Sequence, residues 1–245
     1  MKAMIFAAGL GTRLKPLTDT RPKALVELNG QTLLQRLMLK LHMSGISEVV
    51  INVHHFPDMI IDYLKANNGF GLKWQISDER NQLLETGGGL KKAESLLEGN
   101  EPILVHNVDI LSNLDFRQLI ADHSSDRLAT LVVSQRQTQR YFLFDDTMRL
   151  CGWTNKATGE TRMPDDMPCD NRTFNELAFS GIQIVSPLIF NTMNDFGDRF
   201  SITELYIQKC GTHLIKGFVP QDYKMMDVGK INQIEEAQSF AERLV

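Results

Sequence analysis

Short apolar, β-branched runs alternate with segments of helical periodicity through the first 133 residues. A chain patterned in this way has little choice but a mostly parallel sheet covered by helices. The strand-like runs are Met4-Ile5-Phe6-Ala7, Glu48 to Val53, Lys73 to Ser77, Ile103-Leu104-Val105 behind Pro102, and Ala129 to Val133. Between them, Leu33, Leu34, Leu37, Met38 and Leu41 recur at helical spacing, with Thr32 available as a cap. Pro57 opens a helix with Met59, Ile60, Tyr63 and Leu64 that ends near Asn67-Asn68-Gly69. Gly88 to Leu97 and Asp115 to His123 read as two more helices.

The alternation stops near residue 134. Residues 134–176 are polar, with turn signals at Asp145-Asp146, Lys156 to Glu160 and Pro164 to Pro168, so hairpins or a flap over the sheet edge are expected. Ala178 to Val185 returns to the core, and a helical segment follows near Leu205. Leu214 to Val219 and Tyr223 to Met226 add two strands. Ile234, Ala237, Ala241 and Leu244 share one face of a last helix. With no internal repeat or low-complexity linker, one domain over residues 1–245 is expected, divided at about 1–133, 134–226 and 227–245.

A chain of 245 residues with 42% hydrophobic and 23% charged content has the make-up of one α/β core in water. Its net charge of −4 argues against a general nucleic-acid binder. No apolar stretch approaches the ~18 residues of a membrane span. Lys2 is followed by only a short apolar run, so no signal peptide is expected. Cys151, Cys169 and Cys210 form no C-x-x-C pair, which fits a reducing cytoplasmic setting.

The first strand runs into Ala7-Ala8-Gly9-Leu10-Gly11-Thr12-Arg13, a loop suited to phosphate. Gly9 and Gly11 let main-chain N–H groups approach an anion. Arg13 and Lys23 supply cations at its two ends, and Pro16 and Pro22 restrict the chain between them. A dinucleotide fingerprint would need a third glycine where Leu14 stands, and no Gly-Lys-Ser/Thr of a Walker loop occurs. Just past the Ile103–Val105 strand comes Asn107-Val108-Asp109, and Asp227 precedes Val228-Gly229. Both aspartates suit a hard divalent cation, and either alone would equally suit a cap.

The array G-x-G-T-R-L-x-P-L-T followed by P-K-x-L resembles the signature of the sugar-1-phosphate nucleotidylyltransferases. It is complete here in Gly9, Gly11, Thr12, Arg13, Leu14, Pro16, Leu17, Thr18, Pro22, Lys23 and Leu25. The resemblance implies a Rossmann-like three-layer αβα fold with a smaller β-rich sugar-binding lobe. It implies a nucleotide site at Ala8, Gly9, Gly11, Thr12, Arg13, Lys23, Glu85, Thr86, Gly88 and Asn107, with Arg13 and Lys23 catalytic. Asp109 and Asp227 would hold Mg²⁺, and Glu176, Ser180 and Gly181 would meet the sugar. Leu84-Glu85-Thr86-Gly87-Gly88-Gly89, read as a glycine turn before a helix, is spelled most like the branch that uridylylates N-acetylmuramate 1-phosphate in cell-wall recycling. UTP is therefore the expected nucleotide. A guanylyltransferase of mannose or heptose 1-phosphate and a non-catalytic nucleotide-sugar sensor are the alternatives.

One departure stands out. The family usually has glycine where this chain has Val108, so a modest change in the local turn is expected. Other conspicuous residues take plain readings. His54-His55 lacks further ligands at metal spacing, Asp145-Asp146 and Asp165-Asp166 suit solvated turns, and Met225 and Met226 suit packing. Ser201 to Glu204 suits a capping box.

Overall fold

The computed structural model describes residues 1–164 and 173–244. The Asp165-Asp166 pair, Cys169 and most of the turn between Pro164 and Pro168 lie outside the described residues. The strands are β1 (Lys2–Phe6), β2 (Glu27–Leu28), β3 (Gln31–Thr32), β4 (Glu48–Val53), β5 (Lys73–Asp78), β6 (Ile103–Asn107) and β7 (Ile110–Ser112). They continue with β8 (Ala129–Ser134), β9 (Arg140–Phe144), β10 (Leu150–Asn155), β11 (Glu160–Arg162), β12 (Asn175–Val185), β13 (Ile215–Phe218) and β14 (Met225–Asp227). The helices are α1 (Leu33–Met43), α2 (Pro57–Ala66), α3 (Glu85–Lys92), α4 (Phe116–Asp122), α5 (Ile202–Lys209) and α6 (Ile234–Glu242).

Ten strands form one sheet in the order β11-β10-β9-β12-β6-β1-β4-β5, with β8 and β13 branching from β12. The joints among β6, β1, β4 and β5 are parallel, as the alternation requires. The polar segment adds antiparallel joints, because β9, β10 and β11 connect by hairpins and join through β12. Successive side chains of β1 point to opposite faces. Ala3 and Ile5 enter a core shared with α1, α2, α4 and α6, whereas Met4 and Phe6 enter one shared with α3 and α5. That is the expected three-layer arrangement, with the hairpin ribbon as a smaller β lobe. Among the described residues, no helix is long and apolar enough to cross a membrane.

Register fixes where chemistry can occur. Phe6 at the end of β1 pairs with Asn52 of β4 and Asn107 of β6. Three parallel strands thus end level, and the loops after β1 and β6 open at one edge, where α/β sheets bind ligands.

Three local readings change. The third helix starts at Glu85, not Gly88, and ends at Lys92 before a short 3-10 turn over Glu94–Leu96. The glycine triplet therefore lies inside the helix and not ahead of it. Ser201 does cap α5, accepting from the Thr203 amide at 3.1 Å. Glu204 does not close a capping box, since its carboxylate takes Arg162 at 2.6 Å. Finally, Tyr223 to Met226 is strand only from Met225, and it pairs with β7 outside the main sheet.

Candidate active site

The loop after β1 is shaped by its own small residues. Gly11 has φ +65°, a left-handed conformation that costs other residues ~1–2 kcal/mol. Its carbonyl accepts from the Leu14 amide and from Thr18 Oγ1, both at 2.8 Å. A Cβ at Gly11 would meet Thr18 Cγ2 at 2.9 Å, so buried Thr18 closes the loop. Upstream, the Ala7 amide donates to Asn52 Oδ1 at 2.7 Å, which anchors the loop to β4.

Lys23 starts a 3-10 turn, Lys23–Leu25, and is only 8% exposed. Its ammonium pairs with the carboxylate of Asp109 and lies 3.9 Å from Asp227 Oδ1. The two aspartates meet because β7 and β14 pair antiparallel, with Asp227 opposite Ile110. Desolvation, and next the charge of Asp109, push the Asp227 carboxyl above its usual range, while Lys23 and Arg13 pull it down. Arg13 converges on the same point. A Cβ at Gly229 would come within 2.9 Å of Asp227 Oδ1 and 3.2 Å of Arg13 Nη2, so the glycine of Asp227-Val228-Gly229 leaves room for both.

Val108 answers the question raised by the missing glycine. Its amide continues the bonding of β6 onto β1, donating to Phe6 O at 3.1 Å. It keeps a negative φ and buries its side chain at 4% exposure. The turn to Asp109 therefore needs no glycine.

These groups border a cleft of about 380 Å³ lined by Ala8, Gly9, Lys23, Asn107 and Asp109 on one side and Glu85 and Thr86 on the other. Glu85 holds a positive φ of 63°, a strained conformation of the kind that gathers at ligand sites, and its carboxylate pairs with Arg199 at 3.1 Å. Gly88 plays a different part from the one expected. The Gly87 and Gly88 amides both donate to Phe200 O, at 2.9 and 3.1 Å, so these amides of α3 are already partnered within the protein. A Cβ at Gly88 would sit 2.0 Å from Asp198 O, and one at Gly87 2.4 Å from the Phe200 ring. The glycines let α3 press against the segment leading into α5.

Sequence reasoning missed what lies behind the cleft. Glu79 is 1% exposed and accepts from Asn52 Nδ2 at 2.7 Å and from the Leu84 amide at 3.1 Å. Burial pushes its carboxyl up, and those two donors oppose the shift. The signal was present in Asn52, a buried amide in the otherwise apolar run Val49-Val50-Ile51-Asn52-Val53.

A second cleft of about 460 Å³ adjoins the first, and Ser201 lines both. Its walls include Arg136, Tyr141, Asn155 and Phe179. The expected sugar residues are elsewhere. Glu176 is exposed and pairs with Lys156 at 2.5 Å. Ser180 is 1% exposed, and Gly181 (φ +75°) lies within a register shift of β12, its missing Cβ replaced by the Asn107 carboxamide. None of the three lines the second cleft, since Ser180 and Gly181 are buried within the sheet and Glu176 turns outward to Lys156.

A family model described as Nucleotidyl transferase matches residues 2–143. The N-acetylmuramate alpha-1-phosphate uridylyltransferase of Neisseria meningitidis is 30% identical over 242 residues, 98% of each chain. The protein of the same name from Caulobacter vibrioides is 49% identical over 109 residues, which are 44% of this chain and 45% of that one. Among solved structures, HddC from Yersinia pseudotuberculosis complexed with GMP-PN has a TM-score of 0.77 at 26% identity, covering 98% of this chain and 99% of its own.

Proposed function

Because the chain belongs to the nucleotidyl transferase family, we propose that it transfers a uridylyl group from UTP to N-acetylmuramate 1-phosphate and releases pyrophosphate. Nucleotidyl transfer to a sugar 1-phosphate is the activity common to the uridylyl- and guanylyltransferase relatives. The choice of base and sugar is our own reading. One observation carries the chemistry: Arg13, Lys23, Asp109 and Asp227 converge from separate parts of the chain beside two adjoining clefts.

In this reading an oxygen of the sugar phosphate attacks the α-phosphorus in line, the bond to the bridging oxygen breaks, and pyrophosphate leaves. A phosphate monoester dianion needs no strong base, so the protein's task is to align two anions and offset their repulsion. Lys23 bridges the two phosphates, and Arg13 neutralises the departing pyrophosphate. The carboxylate pair fits Mg²⁺. Its donors are hard oxygens, and the two carboxylates lie close enough for the charge of Asp109 to push the Asp227 carboxyl up, a repulsion that a divalent ion offsets. Among the described residues no third carboxylate or histidine joins them, which suits an ion that shares its shell with phosphate and water. When bound, Mg²⁺ supplies Lewis-acid stabilisation of phosphate charge.

Pyrophosphate release should be measured for UTP, GTP, CTP and dTTP, each with N-acetylmuramate, N-acetylglucosamine, mannose and glucose 1-phosphates. Preference for UTP with the muramate acceptor is expected. The HddC complex with GMP-PN favours including GTP. Preference for GTP with mannose 1-phosphate would replace the proposed substrates and keep the chemistry.

A further inference from the structure

The second cleft is walled by one face of the ribbon formed by β9, β10 and β11. Phe142, Trp153 and Arg162 are cross-strand partners, as are Arg140, Asn155 and Glu160. The two rows are two residues apart along each strand, so they share a face, and all six side chains line the cleft. The start of α5 faces them. Ser201 marks the end that adjoins the nucleotide cleft.

The three arginines here differ in what they already hold. Arg162 is occupied, with Nε on Glu160 at 2.7 Å, Nη1 on Glu204 at 2.6 Å and its guanidinium 5.0 Å from the Trp153 ring. Among the described residues Arg136 donates to one carbonyl, Phe179 O at 3.1 Å, two residues before Gly181, which abuts the Asn107 carboxamide at the border of the nucleotide cleft. Arg140, the first residue of β9, engages its backbone amide with Thr138 Oγ1, while its guanidinium holds no carboxylate or other hydrogen-bond partner among the described residues. Two guanidinium groups without carboxylate partners among the described residues thus line the cleft. Arg136 sits beside the part of β12 that abuts the nucleotide cleft, and Arg140 is farther along the ribbon.

We propose that this cleft is built for an acceptor with two anionic ends, and that Arg140 receives a carboxylate on the sugar ring while Arg136 faces the 1-phosphate. The inference rests on the nucleotidyl-transfer reading above and deepens it, naming acidic sugar 1-phosphates as the acceptor class. A guanidinium fork matches a carboxylate with two parallel N–H donors, and such charge-assisted pairs are about twice as strong as neutral hydrogen bonds. A neutral hexose 1-phosphate offers Arg140 nothing of that kind. Arg140 therefore acts as a specificity residue. Arg140 is itself exposed, at the outer end of the face it shares with buried Phe142 and Trp153, so replacing it leaves the core untouched.

The test compares matched acceptors that differ in the acid. N-acetylmuramate 1-phosphate is set against N-acetylglucosamine 1-phosphate, which lacks the lactyl ether, and glucuronate 1-phosphate against glucose 1-phosphate. Steady-state kinetics are measured for wild type, Arg140→Gln and Arg140→Lys, with melting temperatures recorded for each. In Arg140→Gln, kcat/KM for an acidic acceptor should fall about 10- to 100-fold, mostly through KM, and change less than about twofold for its neutral partner. Arg140→Lys should recover part of the loss.

Equal losses on both members of a pair, or no loss on the acidic one, would overturn the role of Arg140. If wild type used glucuronate and not muramate, and Arg140→Gln lowered that activity, the muramate assignment would fall and the carboxylate site would stand. A wild-type preference for the neutral member of both pairs would remove both.

Discussion

The main-chain carbonyl of Asp109 accepts the amide of Val228 at 2.9 Å, so the residue after one aspartate is bonded to the backbone of the other. Two short strands, β7 and β14, exist to make this contact, and they lie outside the main sheet. The pair is thereby set by backbone geometry, with Lys23 inserted between the carboxylates.

Neutralising either aspartate should stop turnover without unfolding the protein. Asp109→Asn keeps the shape of a half-buried side chain and leaves Lys23 with Asp227 as its partner. Loss of a charge that acts on the reacting phosphates is expected to lower kcat by about 10³-fold or more, roughly 4 kcal/mol. Pyrophosphate release and far-UV circular dichroism check this together, and a variant of near-normal rate would remove Asp109 from the proposed metal site.

Restoring the family's usual glycine should harm this chain. Val108→Gly deletes a buried side chain and adds backbone freedom at a position with a negative φ. A loss of about 2–3 kcal/mol of stability is expected in urea unfolding, with kcat little changed in the folded enzyme. An unchanged midpoint would show that the valine is not a packing residue.

Alanine in the glycine helix should be worse than glycine, against intrinsic propensity. Alanine favours a helix interior by ~1 kcal/mol. At Gly88, however, its Cβ would lie 2.0 Å from Asp198 O. Overpacking of this kind costs about 1–3 kcal/mol net and should also displace the Asp198–Ser201 segment, whose Ser201 borders both clefts. Gly88→Ala is expected to lose both stability and affinity for nucleotide, measured by unfolding and by calorimetric titration. A more stable variant would contradict the close approach.

Lys40 gives the fold a specific pH response. It donates to Ser112 O at 2.6 Å and lies 4.9 Å from the Phe116 ring centroid, tying α1 to β7. Burial pushes its pKa down to about 8, against the pull of Asp115, and the neighbouring His106 is held neutral with a pKa of about 3. Below about pH 8 both states carry the Lys40 proton, so the folded state bears the full penalty. Above it the unfolded chain binds more protons, up to its own pKa near 10.4, and stability rises with pH. From about pH 7.5 to about pH 9.5, wild type should gain roughly 2 kcal/mol relative to Lys40→Met in urea unfolding. A constant difference would mean that the ammonium is not desolvated.

The sequence by itself determined the elements whose signals are local. Periodicity placed α1 and α2 and the parallel strands, because burial on one face leaves a mark at 3.6-residue spacing and burial on both faces leaves a continuous apolar run. The loop from Gly9 to Lys23 was legible because left-handed turns and charge demand particular residue types. Asp109 and Asp227 were each visible, but their meeting depends on a pairing of strands only three residues long, too short to carry a pattern.

Tertiary structure decided the rest. It turned the glycine triplet from a turn ahead of a helix into a helix-packing surface, since the atoms that exclude a Cβ belong to Phe200 at Gly87, to Asp198 at Gly88, and to Glu79 and Asn52 at Gly89. It left Glu176, Ser180 and Gly181 off the walls of the second cleft and put the ribbon bearing Arg140 there, because only register decides which face of a polar hairpin looks into a cleft. A one-residue shift would turn every one of those side chains away, and the residues of the ribbon do not record which register they occupy.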